Sequence, residues 1–224
     1  MGGTIKKKAL PRRAKVTNDE RVLLLRTCSQ DGTSYGGFQW PLTVGAEVIA
    51  PDWSPRAVCG LGLHGLLWGE GDGNLLSWAS DAVWMVISAR ASDVVSLNGK
   101  VKVPSARVEC VGDRLTATAY LAAHGGGGRA IAGGTATAGY GGTATAGDGG
   151  TATAGYGGTA TAGYCGTATA GKYGTATAGD RGTVIVTWHD GMRSRVSVGY
   201  IGENGLKADT AYRLDASGAF VEAK

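Results

Sequence analysis

The sequence predicts a mainly β protein with three parts: a small α+β domain, then a short parallel β-solenoid of octapeptide half-coils, then a C-terminal β cap. Three observations predict this order. The phrase GTATAG occurs six times between residues 134 and 179, at a fixed period of eight. Residues 20–125 hold several short apolar runs and five of the six tryptophans. After the last copy, the strand pattern continues with larger apolar residues.

The first fifteen residues carry six of the basic side chains and no acidic one. The whole chain has a net charge of +4, so the remainder is close to −2 once these six charges are removed. We therefore expect residues 1–19 to form a basic flexible arm on a body that is not basic. Such an arm suggests nucleic acid as a partner only weakly, because no basic face is apparent elsewhere.

Compartment and membrane signals point to the cytoplasm. No apolar run follows the basic start, as a signal peptide would require, and no segment reaches the ~18 apolar residues of a membrane span. The four cysteines are Cys28, Cys59, Cys110 and Cys165, and they form no CxxC pair. This usage is typical of a reducing setting, so we expect a cytoplasmic protein that does not bind membranes.

Residues 20–128 are expected to form the α+β domain. Asp113 is placed to cap a helix over residues 114–124, which ends at the glycine run 125–128. Short apolar and alternating runs predict the strands. The predicted strands cover residues 21–26, 45–50, 82–88, 94–97, 100–103 and 106–110.

The segment CGLGLHG, residues 59–65, is the candidate chemical site of this domain. One interpretation pairs His64 as a base with Cys59 or Cys28 as a nucleophile. A metal site would need Cys28, Cys59, His64 and Cys110, which lack local ligand spacing. The favoured interpretation is structural, with His64 in a glycine-rich turn. Cys59 and His64 together mark a candidate pocket. No cofactor or metal is expected. The next glycine-rich segment, residues 69–73, is typical of a turn and not of a phosphate loop.

The repeat tract, residues 129–187, is expected to form the solenoid. Successive side chains of a strand point to opposite faces, so the threonines share one face and the alanines the other. Two octapeptides then make a coil of about 16 residues with alanine inside, and six make about three coils. A glycine-rich linker without structure is the alternative. The predicted binding or assembly surface comprises Thr135, Thr137, Thr143, Thr145, Thr151, Thr153, Thr159, Thr161, Thr167, Thr169, Thr175 and Thr177.

Two variable residues separate successive copies and are expected to lie at the corners. The flanking glycines are expected to supply the tight turn, because glycine reaches positive φ without a steric clash. Three tyrosines are candidates for an edge ladder. Tyr140 and Tyr156 are one full coil apart, whereas Tyr164 falls on the opposite edge by the same count.

The end of the chain, residues 188–224, is expected to be a β cap. Val184 and Val186 replace the inward alanines in the strand that leads into it, as a terminal unit of a repeat array requires. Further strands are predicted over residues 194–200, 211–214 and 219–222. Asn204–Gly205 is a strong signal for a hairpin turn.

Two resemblances follow from these motifs. The phrase AGYGGTATA, residues 138–146, is similar to the octapeptide of bacterial ice-nucleation proteins. That resemblance implies a β-solenoid with threonine ladders and stacked tyrosines. The order of parts, with GFQWP at 37–41 and GAFV at 218–221, resembles an uncharacterised group of bacterial and phage proteins. The second resemblance implies an architecture and no activity.

Three hypotheses about function follow. The first is a non-enzymatic structural or interaction protein whose solenoid is a surface for self-assembly or docking; its partner is itself, as a homo-oligomer or filament, or another protein. The second is an ice-binding or ice-nucleation-like protein, although three coils give a face only about 14 Å long. The third is a nucleotide-using enzyme in the N-terminal domain, near His64.

Overall fold

The structure is a computed structural model that describes residues 20–223. The predicted basic arm, residues 1–19, lies outside the described residues. Within the described range, no helix is both long enough and apolar enough to cross a membrane. Residues 20–223 are mainly β, as predicted, and the strands of this range belong to three β-sheets.

The N-terminal part is one antiparallel sheet of seven strands in the order β2-β7-β4-β1-β3-β6-β5. The central pair, β1 and β4, is matched over eight residues. Long apolar runs at the centre and short strands at the rim are typical of such a sheet. The strands are β1 (Arg21–Cys28), β2 (Glu47–Ile49), β3 (Leu63–Leu67), β4 (Val83–Arg90), β5 (Val95–Ser96), β6 (Val101–Val103) and β7 (Ser105–Gly112).

Both faces of this sheet are covered. Alternation along β4 sends Met85 to one apolar cluster and Val86 to the other. Trp40 belongs to the first cluster and Trp84 to the second, and each is at most 3% exposed. Helix α1 (Arg114–Leu121) covers the second face. The large aromatic side chains therefore supply apolar mass to both layers.

Two details of this domain differ from the expectation. The sequence indicates a turn at His64, but this residue lies on strand β3, because residues 63–65 pair with 101–103 of β6. The sequence extends helix α1 to His124, but the helix ends at Leu121. A wider turn follows, in which Gly125 has a φ of 108°, a value that an α-helix excludes. The predicted cap is present, since the Asp113 carboxylate accepts from the Thr116 N–H at 2.8 Å.

The repeats form a β-solenoid, which excludes the unstructured linker. Alternate copies belong to alternate parallel sheets, and Thr135 pairs with Thr151 and then Thr167 in register. One coil is therefore two octapeptides, as predicted. The strands are β8 (Thr135–Ala138), β9 (Thr143–Ala146), β10 (Thr151–Ala154), β11 (Thr159–Ala162), β12 (Thr167–Ala170), β13 (Thr175–Ala178) and β14 (Thr183–His189).

Alanine fills the interior of the solenoid. The inward alanines from Ala144 onward are at most 4% exposed and form one cluster with Val184 and Val186. In the first coil, Ala136 and Ala138 are only partly buried. Small side chains allow the two sheets to approach closely, so the core is thin, and each alanine contributes little burial free energy.

The corners differ from the expectation in which residue carries the positive φ. At each corner the second variable residue has the positive φ, for example 64° at Gly141 and 63° at Tyr173, and the invariant glycines do not. Those glycines are required for another reason: a Cβ on Gly171 would lie 2.7 Å from the backbone of Gly155 in the coil below. Backbone contact between coils, and not turn conformation, excludes other side chains there.

The C-terminal cap closes both sheets with antiparallel strands: β15 (Ser194–Tyr200), β16 (Tyr212–Leu214) and β17 (Phe220–Glu222). Strand β15 pairs with β14, whereas β16 pairs with β13 and β17. Asn204 and Gly205 form a turn with positive φ at both residues, but not the predicted hairpin. The strands on either side of this turn belong to different sheets, so it carries the chain across the end of the core.

Candidate functional site

The outward threonines form two regular arrays, one on each sheet of the solenoid. Thr143, Thr159 and Thr175 make one column, and Thr145, Thr161 and Thr177 make the next. Neighbours in a column are about 4.8 Å apart, the spacing of paired strands. On the other sheet, the columns begin at Thr135 and Thr137 and end at Thr183 and Ile185. Each face is therefore a grid of hydroxyl and methyl groups.

The hydroxyls of these arrays are left open to solvent or to a partner. Within residues 20–223, none of the twelve predicted threonines makes a side-chain hydrogen bond, whereas Thr118 of helix α1 bonds its own backbone. A hydroxyl is both a donor and an acceptor, so each threonine can engage water or a second molecule. The repeated pattern makes the grid a surface that can bind something equally regular.

One edge of the solenoid carries a row of tyrosines. The rings of Tyr140 and Tyr156 are stacked, with centroids 5.4 Å apart and planes 5° apart. The third member is Tyr173, whose ring meets Tyr156 edge-on at 5.3 Å. Tyr164 does not join this row, because it lies on the opposite edge near Arg181. Tyr140 and Tyr173 are 83% and 70% exposed, so the row faces solvent.

The opposite edge attaches the solenoid to the N-terminal domain. Oδ2 of Asp148 accepts from the Gly73 N–H at 3.0 Å, and Oδ1 accepts from the Tyr164 N–H at 2.9 Å. The next residue, Gly149, packs so closely on Trp78 that a Cβ there would overlap the indole ring. The turn at residues 69–73 thus serves as a docking point, and the tyrosine edge is left free.

The two ends of the solenoid are unlike. The carbonyl oxygens of Gly134 and Ala138 accept hydrogen bonds from backbone N–H groups of strand β10 and of the residue that follows it. The N–H and C=O groups of Thr135 and Thr137 therefore point away from β10. No strand within the described range pairs with that side of β8 or with the matching side of β9. A cleft of about 500 Å³ separates these edges from helix α1. The other end is covered by the cap.

A second candidate site lies in the N-terminal domain, where strands β1 and β3 pair only at residues 24–25 and 66–67 and then separate. A cavity of about 1310 Å³ opens there, and its walls include Cys28, Cys59, His64 and Lys100. Burial, together with nearby lysines and Arg26, lowers the pKa of His64 from 6.5 to about 4. A hydrogen bond from the Lys100 ammonium, at 3.1 Å, lowers the pKa of the Cys59 thiol.

The predicted chemical alternatives at His64 are not assembled. The Cys28 thiol donates a hydrogen bond to the Met85 sulfur at 3.6 Å, and the Cys59 sulfur accepts one from the Lys100 ammonium. Neither thiol is hydrogen-bonded to His64. Cys110 lies in the apolar cluster on the other face of the sheet from Cys28. Among residues 20–223, no three His, Cys, Asp or Glu side chains are grouped as metal ligands. The geometry therefore supports neither a nucleophile–base pair nor the proposed four-ligand set.

Sequence reasoning missed the roles of Asp148 and Tyr173. Asp148 is one of two corner aspartates, and nothing in the repeat distinguishes it from Asp180. Its partner Gly73 lies 75 residues away, so only the tertiary structure brings them together. For Tyr173 a signal existed, because Lys172–Tyr173 follows Tyr156–Gly157 by one coil on the same edge.

Comparisons with known proteins point to the repeat. No family model matches the chain, and no solved structure gives a significant match. An ice nucleation protein of Xanthomonas campestris pv. translucens is 37% identical over 107 residues, which are 47% of this chain and 7% of that protein. One from Pseudomonas syringae pv. syringae is 37% identical over 108 residues, 47% of this chain and 9% of the relative.

A third relative is ice nucleation protein InaU of Pantoea ananas. It is 34% identical over 108 residues, which cover 47% of this chain and 10% of that protein. The chain thus spans a tenth or less of the curated relatives it matches. Within those limits, the octapeptide β-solenoid of this chain is similar to the repeats of bacterial ice nucleation proteins.

Proposed function

We propose that this protein is a non-enzymatic structural protein whose solenoid is a surface for self-assembly or for docking another protein. The observation that carries the proposal is the grid of twelve threonines, none of which bonds another group of the described chain through its side chain. A flat, repeated surface of hydroxyls and methyls matches a second copy of itself, because each column has the same spacing as its partner.

The two ends of the solenoid favour lateral association over end-to-end growth. The cap ends both sheets with antiparallel strands, so a second copy does not offer the open edges of β8 and β9 the edge of another parallel coil. Helix α1 also borders the cleft at the open end. Contact between threonine faces, or along the tyrosine edge, needs neither end. We therefore expect small closed assemblies and not long filaments of the wild-type chain.

Charge on one threonine face tests this proposal. The variant carries lysine at Thr143, Thr145, Thr159, Thr161, Thr175 and Thr177. Like charges placed opposite one another disfavour contact between two such faces, so the mass measured by light scattering should fall to that of a monomer. Serine at the same six positions keeps the hydroxyls and is the matched control. A wild-type protein that is already monomeric at high concentration contradicts self-assembly, and a mass that lysine does not change contradicts assembly through this face.

Ice binding is the second candidate, and the similarity to ice nucleation proteins favours it. The four strands of the longer face span about 14 Å, which is small for organising ice. A single molecule is expected to slow ice recrystallisation weakly and not to raise the freezing temperature of microdroplets. The recrystallisation effect should be lost when lysine is placed on this longer face, at Thr135, Thr137, Thr151, Thr153, Thr167 and Thr169. Equal ice growth with wild-type and lysine protein would remove this candidate.

A further inference from the structure

Three cations lie in or just behind the wall of the cavity between β1 and β3, and two carboxylates line it as well. Arg26 and Lys100 line it, and the Lys102 ammonium lies behind the wall, where it bonds the carbonyl of Gly60. Arg26 is 9% exposed and Lys102 is fully buried. Asp52 and Asp81 line the same cavity, and Asp31 lies near Cys28. Within residues 20–223, none of these carboxylates forms an ion pair with the three cations.

The partners of the buried cations are neutral. Arg26 donates to the carbonyls of His64 and Thr27, at 3.1 and 3.3 Å, and its guanidinium lies 3.6 Å from the Trp40 ring centre. Lys102 donates to the carbonyls of Val58 and Gly60. Burying a cation without an opposite charge is costly. Burial accordingly lowers the pKa of Arg26 to about 9.

Two buried polar atoms at this place have no hydrogen-bond partner in the described part of the chain. They are Nε of Arg26 and Nε2 of His64. Unpaired buried polar groups are rare in folded proteins, so each one calls for an explanation, such as strain, a bound water or ion, or a functional role. Both residues belong to the cavity wall. The buried charge and the unpaired nitrogens therefore lie at the same site.

The remaining walls suit an organic molecule that carries an anionic group. A volume of about 1310 Å³ exceeds what an inorganic anion fills. Phe38 and Tyr35 also line the cavity, and Tyr35 is fully exposed. Aromatic rings beside cations can stack on a planar group while the cations hold its charge.

We propose that this cavity binds a phosphate-bearing small molecule, with Lys100 at the cavity surface contacting the phosphate and Arg26, His64 and Lys102 providing the surrounding polar and positive field. A dianionic phosphate matches three cations better than a single carboxylate does. The site lies in the N-terminal domain, so a test of this site does not depend on the role of the threonine faces.

Isothermal titration calorimetry of the full chain tests the site, with inorganic phosphate and AMP as probes. Saturable binding at one site per chain is expected, and K100Q should weaken it about tenfold because one charge-assisted contact is lost. The matched control is K172Q, which removes the same charge from a solenoid corner and should leave affinity unchanged. Tighter binding of AMP than of phosphate identifies a ligand with a planar ring, whereas equal affinities identify recognition of the phosphate alone.

Alkylation of Cys59 gives a second readout with an internal control. Cys59 and Cys165 are both exposed free thiols, but only Cys59 borders the cavity. Bound AMP should slow the reaction of iodoacetamide with Cys59 and leave Cys165 unaffected, as measured by mass spectrometry. The proposal is overturned if neither probe binds saturably, if K172Q weakens binding as much as K100Q, or if AMP leaves the alkylation of Cys59 unchanged.

Discussion

At the scale of single residues, the corners of the solenoid hold three side chains in a conformation that favours glycine. Cys165, Tyr173 and Arg181 have φ values of 52°, 63° and 56°. The first three corners place glycine there instead, at positions 141, 149 and 157. The chain thus folds with a local conformational cost in its later coils that its earlier coils avoid.

Replacing Cys165 by glycine is therefore expected to stabilise the protein. Relief of the left-handed conformation is worth about 1 kcal/mol, and the added freedom of the unfolded chain offsets part of it. A net gain of about 0.5 kcal/mol should appear as a higher midpoint in urea unfolding. Cys165→Ala is the matched control, because it removes the thiol and keeps the Cβ. An equal gain from alanine would show that the thiol, and not the backbone, is responsible.

The lowered pKa of His64 leads to a prediction about the stability of the protein in acid. Its pKa is about 4 in the folded protein against 6.5 unfolded, so the unfolded state binds a proton first as pH falls. The stability linked to His64 is thus present above pH 6.5 and is lost between pH 6.5 and 4. We expect His64→Gln to flatten the fall in unfolding free energy over that window. A fall as steep in His64→Gln as in the wild type would contradict this assignment.

At the scale of elements, the sequence predicts the repeat strands better than the N-terminal ones. Every copy gives the same alternation, so the bounds of β8–β13 follow directly from it. Strand β3 is not apparent in the sequence because three glycines, at 60, 62 and 65, surround His64 and indicate a turn. Its pairing with β6 joins residues far apart in the chain, and local patterns carry no information about such contacts.

The contact between the solenoid and the N-terminal domain leads to a prediction at the same scale. Asp148→Ala leaves the N–H groups of Gly73 and Tyr164 without their acceptor, which should cost about 2 kcal/mol. Asp180 occupies the same corner position four copies later and is 66% exposed in its side chain. Asp180→Ala should change the unfolding free energy by less than about 0.5 kcal/mol. Similar losses from both variants in urea unfolding would show that Asp148 is not the docking contact.

At the scale of the whole molecule, the N-terminal domain and the cap hold the solenoid at two different places. The N-terminal domain holds one edge through the Asp148 corner, and the cap closes both sheets at the last coil. Removing one full coil, residues 151–166, keeps every later strand in its original sheet. Removing residues 151–158 moves each later strand to the other sheet.

These two deletions are expected to distinguish the length of the solenoid from the orientation of the cap. The sixteen-residue deletion should shorten the distance between the N-terminal domain and the cap by about 4.8 Å. The eight-residue deletion should turn the cap by half a revolution. Spin labels at Tyr35→Cys and Met192→Cys, with Cys59 and Cys165 changed to serine, would report both distances. Identical label distances in the two deletion variants would contradict the half-coil arrangement.

The alternation of copies between two sheets gives the solenoid the symmetry of a two-fold screw. Each added octapeptide advances the far end by about 2.4 Å, half the strand spacing, and rotates it by half a turn. Whether the count of octapeptides is even or odd therefore decides which side of the cap faces the N-terminal domain. A gain or loss of copies in pairs changes only the reach of the molecule, whereas a single copy turns the cap to the opposite side.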